Sequence, residues 1–371
     1  MKKIIKNLIK DKLLIISFGC ALLSFSISFP KISDINWETI FSLASLMAII
    51  QVYRYLKILD FAASLLIKKN RNIRTLVQSL VFLAFFISMF FTNDIAVITI
   101  MPLLFTLIDK TNLKLILPTV LINLSANLGS IVTPMGNPQN VFLLNYFHLN
   151  FLTFLKMALP ISCLSLILLF LFSLLIHPHK LKTFTLSNFH FNFFQLFLVF
   201  LATLLVILGI FSVIPIWLML IIASSLIFSI NSNLFKKIDY KLLFTFICFF
   251  IAVGDLGRSE IIRNFFENLG TSKLGVYMSG LGLSQIISNV PATILLAPFT
   301  KLFYPLFLGV NIGGLGTLIA SLANLLAFRQ LNQKNNKLNT NYFKVFFLLN
   351  FISLLILGLF GWMLIKINYL K

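Results

Sequence analysis

The sequence predicts an all-α polytopic membrane protein: an inverted repeat with two re-entrant hairpins, two broken transmembrane helices and about nine full spans. Three observations carry this expectation. Of the 371 residues, 59% are hydrophobic and only 11% charged, against about 25% charged in a soluble domain. Apolar segments of about 20 residues, enough to cross a hydrocarbon core of about 30 Å, recur along the whole chain. Polar and glycine-rich interruptions fall at corresponding places in the two halves.

The first apolar segment, residues 12–29, follows a lysine-rich start, and no small-residue cleavage site comes after Phe29. It therefore reads as a retained anchor and not as a signal peptide. Further full spans are expected at 37–56, 151–177, 193–211, 214–230, 241–254 and 342–365. Residues 74–108 do not fit a simple span, because Thr92, Asn93 and Asp94 interrupt them near the middle. Half of that stretch is too short to cross at 1.5 Å per residue. Residues 274–303 have the same form, with the break at Ser288, Asn289, Val290 and Pro291. Both read as hairpins whose polar tips meet near mid-membrane.

A glycine-interrupted segment follows each hairpin: 113–144, broken across SANLGSIVTPMGNPQN, and 306–328, broken across NIGGLGTLIASLAN. Non-helical backbone at that depth needs cover from protein or water. The chain thus divides into a first repeat at 1–178, a loop and linking span at 179–212, and a second repeat at 213–371, which reads as a reduced copy.

The net charge of +20 would, in a polar chain, suggest nucleic acid or an anionic surface. Its distribution points elsewhere. With a cytoplasmic N-terminus, 22 of the 30 Lys and Arg fall in segments predicted inside, as the positive-inside rule requires. The expected surroundings are the lipid bilayer of the cell membrane, and no nucleic-acid partner is expected.

Three residue pairings support the repeat. Ile35-Asn36-Trp37 resembles Ile238-Asp239-Tyr240, an offset of 203; Thr92-Asn93 and Pro102 match Ser288-Asn289 and Pro298, an offset of 196. Asn127, Gly129, Thr133 and Asn140 match Asn311, Gly313, Thr317 and Asn324, an offset of 184. The implied crossings bring the hairpins in from opposite sides. An inverted repeat with discontinuous helices at matching positions points to a secondary transporter whose site lies between the repeats.

Each break exposes backbone N–H or C=O groups and aims helix ends at one place, N-termini favouring anions and C-termini cations. The amides of Asn93, Asn289, Asn127, Asn311, Asn140 and Asn324 and the hydroxyls of Thr92, Ser288, Thr133 and Thr317 add neutral oxygen ligands and donors. Gly129, Gly136 and Gly313 permit unwinding, and Pro138 keeps its helix from closing over the break. Nine of the ten acidic residues fall in loops or near span ends; Asp94 does not. An ionisable group at such depth is a functional-site expectation, here for a coupling cation or a proton, with helix capping as the competing reading. Cys20, Cys163 and Cys248 lie in apolar spans without metal spacing, and His148, His177, His179 and His190 sit at span ends or in a loop. No catalytic constellation is visible, so an enzyme is not expected.

FTNDIAVITIMPL and SNVPATILLAPF resemble the two hairpin-tip motifs of the ion transporter superfamily, which includes citrate transporters, divalent-anion:sodium symporters, arsenite permeases and one class of sodium/proton antiporters. SANLGSIVTPMGNPQN and GGLGTLIASLAN are similar to its two unwound segments, so the resemblance runs from about Ile35 to Phe328. It implies an elevator-type secondary transporter, often a homodimer, with a scaffold and a moving part. Thr92, Asn93, Ser288 and Asn289 correspond to the tips that hold sodium and substrate carboxylates, and Gly136, Asn137, Pro138 and Asn140 to the Gly-x-Pro-x-Asn pattern. The second copy departs from that pattern at Ala320 and Leu322, and the third tip residue is Asp94 in one half and Val290 in the other. The resemblance therefore implies cation- or proton-coupled movement of a small anion, such as citrate, a dicarboxylate or an arsenite-like oxyanion. Sodium, if it is the coupling ion, is expected near Asn93, Asp94 and Asn289, with no further cofactor; sodium/proton antiport is the alternative.

Overall fold

A computed structural model of the protein describes residues 12–70, 72–108, 115–179, 191–335 and 339–369. The first unit comprises α1 (Lys12–Ser24), α2 (Trp37–Tyr55), α3 (Ile58–Lys69), α4 (Ile73–Phe90), α5 (Asn93–Ile108), α6 (Ile116–Gly129), α7 (Pro138–Tyr146) and α8 (Phe151–Ser173). Helix α9 (Phe193–Ile210) links it to α10 (Ile216–Ile230), α11 (Tyr240–Leu256), α12 (Glu260–Gly270), α13 (Lys273–Ile287), α14 (Asn289–Leu296), α15 (Phe303–Gly313), α16 (Leu322–Lys334) and α17 (Asn339–Lys366). In number and order, helices α10 to α17 parallel α1 to α8. The lysine-rich start and His190 lie outside the described residues.

Local chemistry sets these elements. Asn36 and Asp239, paired at the offset of 203, are the N-caps of α2 and α11, accepting from the N–H of Thr39 (2.8 Å) and Leu242 (3.2 Å). Helix α9 is apolar on all sides and leaves Phe197 and Phe200 exposed, as a lipid-facing helix does. Buried hydroxyls in such helices bond their own carbonyls one turn back, Ser162 to Ala158 and Ser165 to Ile161.

The interruptions fall where expected. Helix α4 ends at Phe90 and α5 starts at Asn93; α13 ends at Ile287 and α14 starts at Asn289. The two glycine-rich segments unwind between α6 and α7 and between α15 and α16. Two helices were not anticipated. Helices α3 and α12 each stand between the second span of a unit and its hairpin; α12 bends 101° from α11, with Ile261 and Phe265 exposed beside an Arg263–Glu267 ion pair. Such a helix has low mean hydropathy and passes for a loop in a search for spans.

By length and composition, four helices among the described residues can each cross a membrane: α4, α8, α9 and α17, with a fifth if α11 and α12 count as one bent span. Helix α4 alone, at 18 residues, is long enough, so the first hairpin has one full-length arm. The number is below nine because α1, α10 and the halves of the broken segments are shorter than 18 residues, while α2, at 19, is not apolar enough with Glu38, Gln51 and Arg54 in it.

Packing between the units is reciprocal. Helix α1 packs on α11 and its counterpart α10 packs on α2; α5 packs on α16 and its counterpart α14 packs on α7. Within each unit the hairpin's first arm packs on the first half of the broken segment, α4 on α6 and α13 on α15. Gly129 and Gly313 make these approaches close. A Cβ on Gly129 would lie 2.2 Å from the Phe85 carbonyl oxygen, and one on Gly313 would lie 2.8 Å from the Ser284 side chain.

Arg258, just past α11, ties the α1–α2 connection to the end of α11. It pairs with Asp34 (2.9 Å) and with the fully buried Asp255, and it donates to Ser28 and the Phe29 carbonyl. Ser24 at the end of α1 donates to Asp255 (2.7 Å).

Candidate functional site

The two hairpin tips and the two breaks meet at a cavity of about 40 Å³, lined by Asn93, Asp94, Asn137, Pro138, Ser288, Asn289, Val290, Pro291, Ser321 and Leu322. These residues are the first turns of four helices, α5, α7, α14 and α16. Several other helix starts are closed by a side chain, as at Asn36, Asn72, Asn150 and Asp239, while those of α6, α10, α12 and α15 are not. The caps of α7 (Asn137), α14 (Ser288) and α16 (Ser321) make no such bond. Their positive ends are left for something else. Ser288 holds φ at 77°, a strained conformation for a residue with a Cβ, at the tip itself.

Asp94 is the acid of this cavity. Its Oδ1 is buried without a hydrogen-bond partner, and among the described residues no donor reaches its carboxylate. It does not cap α5. Asn93 instead accepts from the Asp94 N–H (2.9 Å). The fifth wall is α11, which contributes Leu242, Thr245, Phe246 and Phe249.

Around the cavity the asparagines form a crossed network. Asn127 Nδ2 donates to Asn324 Oδ1 (2.8 Å), and Asn311 Nδ2 donates to Asn140 Oδ1 (2.8 Å). The partners of each bond come from different units, and the offset of 184 converts one bond into the other. The same operation relates Asn140 donating to the Ser130 carbonyl (3.0 Å) and Asn324 donating to the Gly314 carbonyl (3.2 Å). It also relates Asn127 and Asn311, which each donate to the carbonyl four residues back, on Asn123 and Phe307. Thr133 donates to the Met89 carbonyl and Thr317 to the Gln285 carbonyl (2.9 Å), fastening each break to its hairpin.

The expected site residues thus separate into two groups. Asn93, Asp94, Asn137, Pro138, Ser288 and Asn289 line the cavity. Asn127, Gly129, Thr133, Gly136, Asn140, Asn311, Gly313, Thr317 and Asn324 do not; they hold the breaks in place. Thr92 starts α5, its carbonyl accepting from the N–H of Ile95 and Ala96. Asn93 belongs to both groups, donating to Asn127 (3.0 Å) and to Ser321 across the cavity (3.2 Å). Among the described residues the side chains of Asn137 and Asn289 have no hydrogen-bond partner, which leaves two amides free beside Asp94.

Sequence reasoning missed Asn123, Ser321 and Thr245. Asn123 donates to Asn324 (2.9 Å) where its counterpart is Phe307, so the repeat gave no signal for it. Ser321 stands where the first copy has Asn137, and the departures at Ala320 and Leu322 on either side hid it. Thr245 lies in an unbroken apolar span. No group of three His, Cys, Asp or Glu converges among the described residues.

Residues 7–302 match the family described as citrate transporter. The chain belongs to the citrate transporter family. It is 37% identical over 328 residues to an uncharacterized transporter of Methanocaldococcus jannaschii, covering 86% of this chain and 89% of that one. It is 29% identical to the inner membrane protein YbiR of Escherichia coli, covering 84% and 85%. Its fold is similar to that of the Alcanivorax borkumensis YdaH transporter, with a TM-score of 0.59 at 12% identity over 89% of this chain and 85% of that one. This citrate transporter family member is an integral membrane transporter, not an enzyme. The tips and the first break all lie within the matched residues, whereas the second break lies beyond Thr300 and Leu302.

Proposed function

We propose that the protein is a secondary active transporter that couples inward or outward movement of a small anion, a carboxylate or an arsenite-like oxyanion, to sodium or protons. The observation that carries this reading is four helix N-termini converging on one cavity, three of them without a side-chain cap. Each N-terminus is equivalent to roughly +0.5 charge, so four supply roughly +2 against the single carboxylate of Asp94. An anion is favoured there, held by the free amides of Asn137 and Asn289. Asp94 opposes that anion unless it is protonated or paired with a cation, and this is the physical basis for coupling.

The crossed Asn127–Asn324 and Asn311–Asn140 bonds and the reciprocal helix packing support two units related by a two-fold axis in the membrane plane. In this reading the hairpins and broken segments move as one body, because those bonds join them across the units, while the remaining spans form the scaffold of an elevator and the homodimer face. The short helices then complete the expected nine spans, with the N-terminus in the cytoplasm.

A second reading, sodium/proton exchange, is favoured by the size of the cavity. About 40 Å³ holds a bare ion or about three waters, and Asp94 would alternate between the two cations. Purified protein in liposomes separates the readings. With an imposed sodium or proton gradient, uptake of labelled citrate, succinate or arsenite is expected, and it is lost in Asn137→Ala and Asn289→Ala. Proton movement driven by sodium, with no anion carried, would instead establish the exchanger.

A further inference from the structure

The tip cavity is the smaller space near the site. A chamber of about 650 Å³ opens where the α1–α2 connection, the α7–α8 turn and the end of α11 meet. Its size falls in the range of about 300–1,000 Å³ typical of ligand sites. Asp34, Glu38, His148 and Arg258 stand at its mouth, two carboxylates beside a guanidinium that already pairs with Asp34. Phe142, Phe250 and Ile294 line its depth, and all three are buried.

The chamber and the tip cavity share three helices, two of them in consecutive turns. Helix α7 lines the cavity at Pro138 and the chamber at Phe142; α14 lines them at Pro291 and Ile294; α11 passes from Phe249 to Phe250. One turn rises about 5.4 Å, so the partition is a single layer of side chains. Its rings are in contact: the centroids of Phe142 and Phe250 are 5.5 Å apart, and those of Phe246 and Phe250 are 6.2 Å apart.

Volume decides how the two spaces can be used. The chamber is far larger than the tip cavity of about 40 Å³, so an ion that enters by the chamber passes the ring layer to reach the tips. We propose that the chamber receives the transported ion and that Phe142, Phe250 and Ile294 form a hydrophobic gate between it and the tips. This rests on the reading that the tips hold the transported ion. The charge distribution puts Asp34, His148 and Arg258 on the outer side, so the chamber faces outward and the gate is shut. A hydrated ion cannot cross an apolar layer one ring thick without parting it, and the same layer keeps bulk water from Asp94.

Thiol labelling from one side tests the gate whatever ion is moved. Cys20, Cys163 and Cys248 are replaced by alanine, Tyr146→Cys reports the chamber, and Val290→Cys reports the tips. An impermeant thiosulfonate applied outside is expected to label Tyr146→Cys at least about tenfold faster than Val290→Cys. Phe250→Ala, and independently Phe142→Ala, is expected to raise the rate at Val290→Cys about tenfold. The Tyr146→Cys rate in each variant reports that it is folded. Labelling of Tyr146→Cys only from the cytoplasmic side overturns the proposal, as does a Val290→Cys that stays protected in both gate variants while Tyr146→Cys remains reactive. Labelling needs no transport, so liposomes that carry no anion would defeat the transport reading alone and leave the gate standing.

Discussion

Asp94 and the asparagines around it carry the chemistry, and the structure divides their labour. Asp94 faces the cavity with a carboxylate that no donor among the described residues reaches, so its charge is balanced by helix ends and by whatever binds. Asp94→Asn is expected to abolish acceleration of uptake by the driving gradient while leaving exchange of labelled anion across the membrane, because the amide keeps the shape and loses the titration. Unchanged gradient dependence would remove Asp94 from coupling. Asn324 and Asn289 make the opposite contrast. Asn324 is fully buried and bonded to Asn123, Asn127 and the carbonyls of Gly314 and Thr317. Orphaning such partners costs about 1–3 kcal/mol for each buried group. Asn324→Ala should therefore lower the melting temperature clearly, whereas Asn289→Ala should leave it near wild type and lose transport. Thermal melts beside uptake assays check both.

Among the elements, the hairpins depend on backbone approach. Gly129 stands on α6 against α4, and a methyl group there would meet the Phe85 carbonyl, which cannot swing aside. Gly129→Ala should separate α4 from α6 and cost about 1–3 kcal/mol or more, as overpacking does. Gly282→Ala, on α13 with open space around it, is the control and should fold normally. Size-exclusion profiles in detergent read the difference. The elements themselves were legible to unequal degrees. Long apolar runs and their polar interruptions announced the spans, hairpins and breaks, since burial in lipid demands continuous apolarity and any exception stands out. Helix α12 was not legible, because an amphipathic helix mixes Arg263, Glu260 and Glu267 with Ile261 and Phe265 and averages to the hydropathy of a loop, and α3 was not because its 12 residues are too few for a span.

At the scale of the molecule, the α1–α2 connection and the end of α11 are held by Arg258, Asp34 and Asp255. Burial works to raise the Asp34 carboxyl, but hydrogen bonds and charge from Arg258, with the Lys31 N–H, outweigh it and hold the group below its ordinary value of 3.8. A carboxyl depressed in the folded state stabilises fully above its unfolded value and loses that contribution as pH falls through the folded one. Melting temperature is thus expected to hold steady down to about pH 4 and to fall below it. Asp34→Asn should melt lower at neutral pH and show a smaller acid drop. A wild-type curve parallel to that of Asp34→Asn across this range would show that the clamp contributes nothing.

The amino-acid sequence by itself determined that the chain is a helical membrane protein, where its helices break, and that Asn127 answers to Asn311 and Asn140 to Asn324. These are local matters: a polar residue in an apolar run is visible without knowing its neighbours. Only the tertiary structure decided that those four amides bond one another across the units, while Asn137 and Asn289 find no partner among the described residues beside Asp94. Ser321 reaching Asn93 and α11 walling the cavity were equally out of view. Contacts between residues some two hundred positions apart are set by how the two units pack, and no spacing along the chain records which amide will be satisfied by protein and which is left for a ligand.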